Sequence, residues 1–229
     1  MTDKIVNRRT ILTTTTLAAG GLLLGGGTAH GATGHAARPA TPDEAWAELR
    51  KGNRRWAADA AIHPHQDVAR RAEVSQKQNP YAVVVSCIDS RVPPEIVFDA
   101  GIGDLFSVRS AAQTLDPLVA WAVEYGPVES GTPLIVVLGH QRCGAVTAAA
   151  HALSEGDKLP GDLQRIVEAL RPAYRRARGD VDKMIRINTA DVVAELKADK
   201  LLAPRIARGR LKIVGAYYSL DTGQVTRVV

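Results

Sequence analysis

The chain has 229 residues, 45% of them apolar and 23% charged, which is enough for one sizeable core and is ordinary for a soluble protein. That balance excludes a mainly disordered or collagen-like chain. A formal net charge of +5 with only 4% aromatic residues does not make a nucleic-acid surface, and the group Arg171, Arg175, Arg176 and Arg178 reads as a solvated helix face.

Residues 1–36 differ from the rest. Lys4 and the pair Arg8-Arg9 precede a weakly apolar stretch, ILTTTTLAAGGLLLGGG, followed by small residues, with Gly31 and Ala36 among the candidate cleavage points. The pattern predicts a twin-arginine export signal with a flexible linker, which would place the mature protein outside the cytoplasm, extracellular or in the cell envelope. Threonines and glycines dilute a segment that would need about 20 mainly apolar residues to cross a bilayer. No stable membrane span is therefore expected once the signal is removed. Without Lys4, Arg8, Arg9 and Asp3 the net charge falls to +3, and the folded domain is expected over residues 37–229.

From Pro42 to Trp56 the apolar residues Ala45, Trp46, Leu49 and Trp56 recur at helical spacing among charges, predicting an amphipathic N-terminal helical arm. Residues 59–80 have little periodicity and predict an extended or partly helical connection. The run Tyr81 to Ser86 is short, β-branched and apolar throughout, as in a strand buried on both faces of a parallel sheet. Similar runs follow at Leu105 to Val108 and Leu134 to Leu138, with a helical pattern from Leu115 to Tyr125 between them. Helices are expected over 144–153, 162–177 and 182–198, then a strand from Leu211 to Tyr218, a turn at Asp221-Thr222-Gly223 and a short strand from Val225 to Val229. This βαβ rhythm predicts an α/β fold with a central, mainly parallel β-sheet flanked by α-helices.

The chemistry gathers after two of these strands. Cys87 and His140 each stand after an apolar run, and ligands of open α/β sheets bind at the carboxyl ends of the strands. Cys143 follows His140 by three residues, so an imidazole and a thiolate from one turn can face the same ion. Cys87 and Cys143 are the only cysteines. In an exported protein they could form a disulfide, but two sulfurs and one nitrogen also suit a tetrahedral zinc ion, one per chain. Asp89, two residues after Cys87, has two roles open to it. It could close the metal shell as a fourth ligand, or pair with the guanidinium fork of Arg91 and leave a coordination position for water. Zinc-bound water has a pKa of about 7 and supplies hydroxide near neutral pH.

Cys87-Ile88-Asp89-Ser90-Arg91 followed by Gly139-His140-Gln141-Arg142-Cys143-Gly144-Ala145 resembles the paired motif of the β-class carbonic anhydrases. The likeness extends from about Trp46 to Val229 and includes Val92-Pro93-Pro94-Glu95, Gly103-Asp104-Leu105-Phe106 and Gly215-Ala216-Tyr217-Tyr218. The resemblance implies zinc on Cys87, His140 and Cys143, and an Asp89/Arg91 dyad that orients zinc-bound hydroxide for attack on carbon dioxide, giving bicarbonate and a proton. It also implies a homodimer or higher homo-oligomer with active sites near the subunit interface. Gln78, nine residues before Cys87, corresponds to a family glutamine that helps hold substrate oxygen. Phe106 and Tyr125, the latter fifteen residues before His140, match positions that line the carbon dioxide pocket, and the Gly144 backbone N–H is a further candidate there. His63, His65 and His151 are candidate proton relays. The alternatives are hydrolysis of carbonyl sulfide or carbon disulfide on the same site, or a zinc-binding module without turnover, with Asp89 as a permanent ligand. Two departures stand out. Arg109-Ser110-Ala111-Ala112-Gln113 replaces the frequent Arg-Asn-Ala-Gly-Asn, and Ile88 stands where a small residue is usual and needs space for its side chain.

Overall fold

The computed structural model describes residues 38–229; the expected export signal lies outside them. Helix α1, Pro42–Ala57, begins with a capping box in which Thr41 Oγ1 accepts from Glu44 N and the Glu44 carboxylate accepts from Thr41 N. Such a box satisfies backbone donors that the first turn of a helix leaves unpaired. Within the expected connection a short helix forms, α2 at Val68–Val74, capped by Asp67. The chain then alternates through β1 (Ala82–Cys87), α3 (Pro94–Val97), β2 (Leu105–Ser110), a 3-10 turn at Ala111–Gln113, α4 (Pro117–Glu129) and β3 (Leu134–His140). Next come α5 (Gly144–Glu155), α6 (Leu163–Ala177), α7 (Val181–Ala198), α8 (Ala203–Ala207), β4 (Lys212–Tyr218) and β5 (Val225–Arg227). The sequence patterns anticipate the main elements; α3 and α8 are too short for periodicity to reveal.

The strands form one sheet in the order β2-β1-β3-β4-β5, parallel except for β5, which pairs antiparallel with β4. Successive side chains of a strand point to opposite faces, and each face has its own cover. Ala82, Val84, Leu134, Val136, Leu138, Val214 and Ala216 pack with Ala45, Trp46 and Leu49 of α1. Val83, Val85, Ile135, Val137 and Ile213 pack on the other face with Val123 of α4 and with Val192, Val193 and Leu196 of α7. Each fully buried Val, Leu or Ile contributes about 1.5–3 kcal/mol. Helices α5, α6 and α7 share a further cluster that includes Cys87 and Cys143. Helix α7 lies so close to β3 that a Cβ at Gly139 would be 2.4 Å from Thr189 Oγ1, and only glycine fits.

Two differences from the sequence expectation matter for the site. β1 and β3 run on to Cys87 and His140, which are therefore the last residues of their strands. β2, expected as a run similar to β1, carries Ser107, Arg109 and Ser110 and is half-buried, as an edge strand with a single neighbour. The order of the sheet reverses at β1, whose two neighbours, β2 and β3, follow it on opposite sides. The carboxyl ends of β1 and β3 thus flank a topological switch point, the usual ligand crevice of open α/β sheets.

Candidate metal centre

Cys87 ends β1, His140 ends β3, and Cys143 is the N-cap residue of α5. All three side chains are buried, and their donor atoms lie within 4.8 Å of one another. The two sulfurs are 3.8 Å apart and both cysteines are free. That separation is far beyond the roughly 2.05 Å of a disulfide. It matches the ~3.8 Å expected of two sulfurs each about 2.3 Å from a tetrahedral zinc.

His140 supplies the sharper test of fit. Its Nδ1 lies 3.0 Å from the carbonyl oxygen of Gln141, while Nε2 is buried without a hydrogen-bond partner. With the proton on Nδ1, Nε2 presents a lone pair toward the sulfurs, the arrangement of a metal-ligating histidine. An unpaired buried polar atom costs about 1–3 kcal/mol, a cost that coordination would remove.

The sulfurs are prepared electrostatically. Cys143 hydrogen-bonds to Cys87, which pulls the Cys87 thiol down to about 4, with further help from the backbone N–H groups of Ala112 and Asp89. The same contact, together with burial and the charge on Cys87, pushes Cys143 up. Thiolates are the metal-ligating form, so any proton on the pair is given up when a cation binds. The backbone N–H groups of Ala145 and Val146, at the start of α5, oppose the rise at Cys143, as helix N-termini favour thiolates.

Asp89 stands beside this cluster but is occupied. Arg91 Nε donates to Oδ1 at 2.9 Å and Nη2 to Oδ2 at 2.7 Å, and the Arg91 backbone N–H adds a third bond at 3.0 Å. The Arg91 hydrogen bonds hold the Asp89 carboxyl down at about 2. Oδ2 is nonetheless only 3.9 Å from His140 Nε2. Asp89 is therefore a fixed, ionised acceptor at the edge of the donor cluster, paired with Arg91.

The other expected site residues divide. Gly144, the first residue of α5, is exposed next to Cys143, with open space around its Cα. Ile88 points outward, 62% exposed, so it needs no internal space. Gln78 is exposed ahead of β1, at the end opposite Cys87, and a strand of this length separates them by roughly 17–20 Å. It therefore does not reach the cluster of its own chain. Phe106 pairs in register with Val83, four residues short of Cys87, and meets Tyr125 edge-on with ring centroids 5.8 Å apart. These two rings lie on the β2/α4 side, beside Trp121. His65 faces Asp104 and bonds to Ile102 N at the amino end of the sheet. His151 is exposed about 10 Å along α5 from Gly144. None of the three candidate relays, His63 being close to His65 and bonded to Asp99, touches the cluster within one chain.

Three supports escaped the sequence reading. Arg109 donates from Nε to Cys87 O at 2.9 Å and from Nη2 to Asp89 O at 2.6 Å, fixing the loop that leaves β1. An arginine next to the last residue of β2 was the available signal. Asp221 accepts both Nη atoms of Arg142 and Gln141 Nε2, so it clasps the two residues between His140 and Cys143. Its turn was legible but its target was not. Asn188, from α7, bonds to the carbonyl of Ala112, and nothing in the sequence pointed to it.

A family model described as carbonic anhydrase matches residues 82–225. The chain is 42% identical over 188 residues to carbonic anhydrase 2 of Mycobacterium tuberculosis, covering 80% of this chain and 91% of that protein. Among solved structures, a β-carbonic anhydrase of Coccomyxa superposes with a TM-score of 0.62 at 25% identity, covering 78% of this chain and 84% of that one. Tetrameric β-carbonic anhydrases of Sordaria macrospora match with a TM-score of 0.64 at 22% identity, covering 80% and 95%, a likeness of fold. With the Cys/His/Cys cluster at the switch point of this sheet and relatives over most of its length, the chain belongs to the β-class carbonic anhydrase family, enzymes that interconvert carbon dioxide and bicarbonate.

Proposed function

We propose that the chain hydrates carbon dioxide with one zinc ion held by Cys87, His140 and Cys143. The observation that carries this reading is the buried, unpartnered Nε2 of His140 facing two sulfurs spaced for a tetrahedral ion. Zinc, when bound, supplies the Lewis acidity that brings the pKa of a water near 7. The residues do the rest. Arg91 keeps both Asp89 oxygens engaged, which favours leaving one coordination position to solvent over a closed, structural shell. Asp89, ionised and accepting, orients the attacking oxygen through a hydrogen bond and holds its proton away from the incoming carbon dioxide. Arg109 fixes the carbonyls of Cys87 and of Asp89 itself and keeps Asp89 in place.

The functional unit is a homo-oligomer. The half-buried edge strand β2 and the exposed Leu118 (81%) and Trp121 (63%) of α4 support this, because unpaired strand edges and apolar patches mark interaction surfaces. The tetrameric Sordaria relatives are consistent with it. In that assembly Gln78, Phe106 and Tyr125 of one copy serve the metal centre of another. Residues 1–36 direct export through a twin-arginine route, a reading supported by Arg8-Arg9 and the small-residue stretch after them. Among the described residues no helix is long and apolar enough to cross a membrane.

The test is Asp89→Asn. The variant should keep one zinc per chain by elemental analysis and lose about 10- to 100-fold in kcat/KM for hydration by stopped flow, the usual cost of removing a partner beside the metal ligands. A zinc-loaded wild type no faster than buffer would end the enzyme reading.

A further inference from the structure

The turn after β2 holds two consecutive residues in the left-handed region, Ala112 at φ 52° and Gln113 at φ 49°. Neither is glycine, and an L residue there is strained by its Cβ. Such strain persists only where the surroundings over-determine the backbone. They do so here from two directions. Within the loop, Thr114 N and Oγ1 donate to Ala111 O at 3.2 and 3.0 Å, and Ser110 Oγ donates to Thr114 O at 2.7 Å. From α7, Asn188 Nδ2 donates to Ala112 O at 2.9 Å, and Thr189 Oγ1 accepts from Gln113 Nε2 at 3.2 Å. Asn188, Thr189 and Gln113 are 6%, 0% and 1% exposed, so these are dry, long-range tethers rather than surface contacts.

The result of the strain and the tethers together is that Ala112 N–H points at Cys87 Sγ, 3.4 Å away. A hydrogen bond to an anionic sulfur draws charge off it and fixes its direction. We propose that Asn188 is a positioning residue of the metal centre: by pinning the Ala112 carbonyl from α7 it aims the Ala112 N–H at Cys87 Sγ and sets how much charge that sulfur donates to the ion. The inference rests on reading Cys87, His140 and Cys143 as metal ligands. It also accounts for alanine at a position where glycine is frequent in the family, since the tethers hold the turn that glycine would adopt without strain.

The experiment uses the folded protein loaded with cobalt(II), whose thiolate-to-metal charge-transfer band reports the electron density on the sulfurs. Asn188→Ala should move this band to lower energy, because a sulfur without its hydrogen bond gives up charge more readily. Adding Ala112→Gly to Asn188→Ala should return the band toward its wild-type position, because the turn then needs no tether. A merely structural role for Asn188 would lower the melting temperature and leave the band unmoved, which would overturn the proposal. Should Asn188→Ala fail to fold, Gln113→Ala removes the other α7 tether; it should shift the band in the same direction, and an unmoved band there overturns the proposal equally. A wild-type protein with one cobalt per chain and no such band would sink the metal reading and this inference with it.

Discussion

The carboxyl ends of β1 and β3 and the outer face formed by β2 and α4 belong to one fold, yet their side chains are held in opposite ways. At the strand ends, Cys87, His140 and Cys143 are no more than 3% exposed, and their surroundings come from the same chain: Arg91 on Asp89, Arg109 on the Cys87 loop, Asp221 on the His140 loop. On the outer face, Leu118 and Trp121 stand 81% and 63% exposed beside a strand with one neighbour. The donor cluster is therefore a property of the single chain. The apolar face has no such cover at Leu118 and Trp121, while Phe106 and Tyr125 beside them are half-buried. Metal binding and substrate handling should accordingly respond to different substitutions.

The largest effect is expected where the single chain does everything. Cys143→Ser removes a sulfur donor and replaces it with a hydroxyl that stays protonated at neutral pH, whereas the thiolate is the competent ligand. Zinc content after dialysis and hydration activity should both fall to background, while sedimentation shows the oligomer intact. A variant that keeps one zinc per chain would break the assignment of the cluster.

The second substitution attacks the other side of the comparison. Trp121→Arg puts a charge into the exposed apolar face of α4 and touches none of the donors. Loss of a buried tryptophan anchor at an interface costs about 2 kcal/mol or more, so association should weaken by at least ~10-fold, seen as a smaller species in sedimentation at low protein concentration. Zinc should stay at one per chain while activity falls along with dissociation. Full activity in the dissociated chain would show that Phe106, Tyr125 and Gln78 have no part in another copy's site.

This division also explains what could be read from the sequence. Cys87, Asp89, Arg91, His140 and Cys143 were legible because each lies within a few residues of a strand end, where an open α/β sheet gathers its ligands. The sheet was legible in its short apolar runs, except that β2 is half-buried rather than buried, because of its place in the strand order. Gln78, Phe106 and Tyr125 were singled out by the resemblance, but spacing cannot say that six residues of strand would separate Gln78 from the donors. Asn188 and Asp221 were invisible because their partners, Ala112 and Gln141, lie 76 and 80 residues away. Nothing local in the sequence marks such a contact.

The smallest expected effect tests the outermost support of the metal loop. Arg142 lies in the left-handed region at φ 52° between two donors. Its guanidinium meets Asp221 at 2.6 Å while its carbonyl accepts from Arg91 Nη2 at 3.2 Å. Asp221→Ala therefore loosens the loop from outside and, through that carbonyl, the arginine that occupies Asp89. Both members of the clasp are more than half exposed, and exposed ion pairs contribute little. Zinc release to a chelator should accelerate by no more than a few-fold, with activity nearly unchanged. The Arg142 and Gln141 hydrogen bonds hold the Asp221 carboxyl below its ordinary range. Its contribution is then complete above that range and disappears as the pH falls through the lowered value. At 1 M salt, where the Debye length is about 3 Å, the difference between Asp221→Ala and wild type should shrink. A loss that persists undiminished in high salt would mean that the neutral Gln141 bonds, rather than the charge on Arg142, hold the loop.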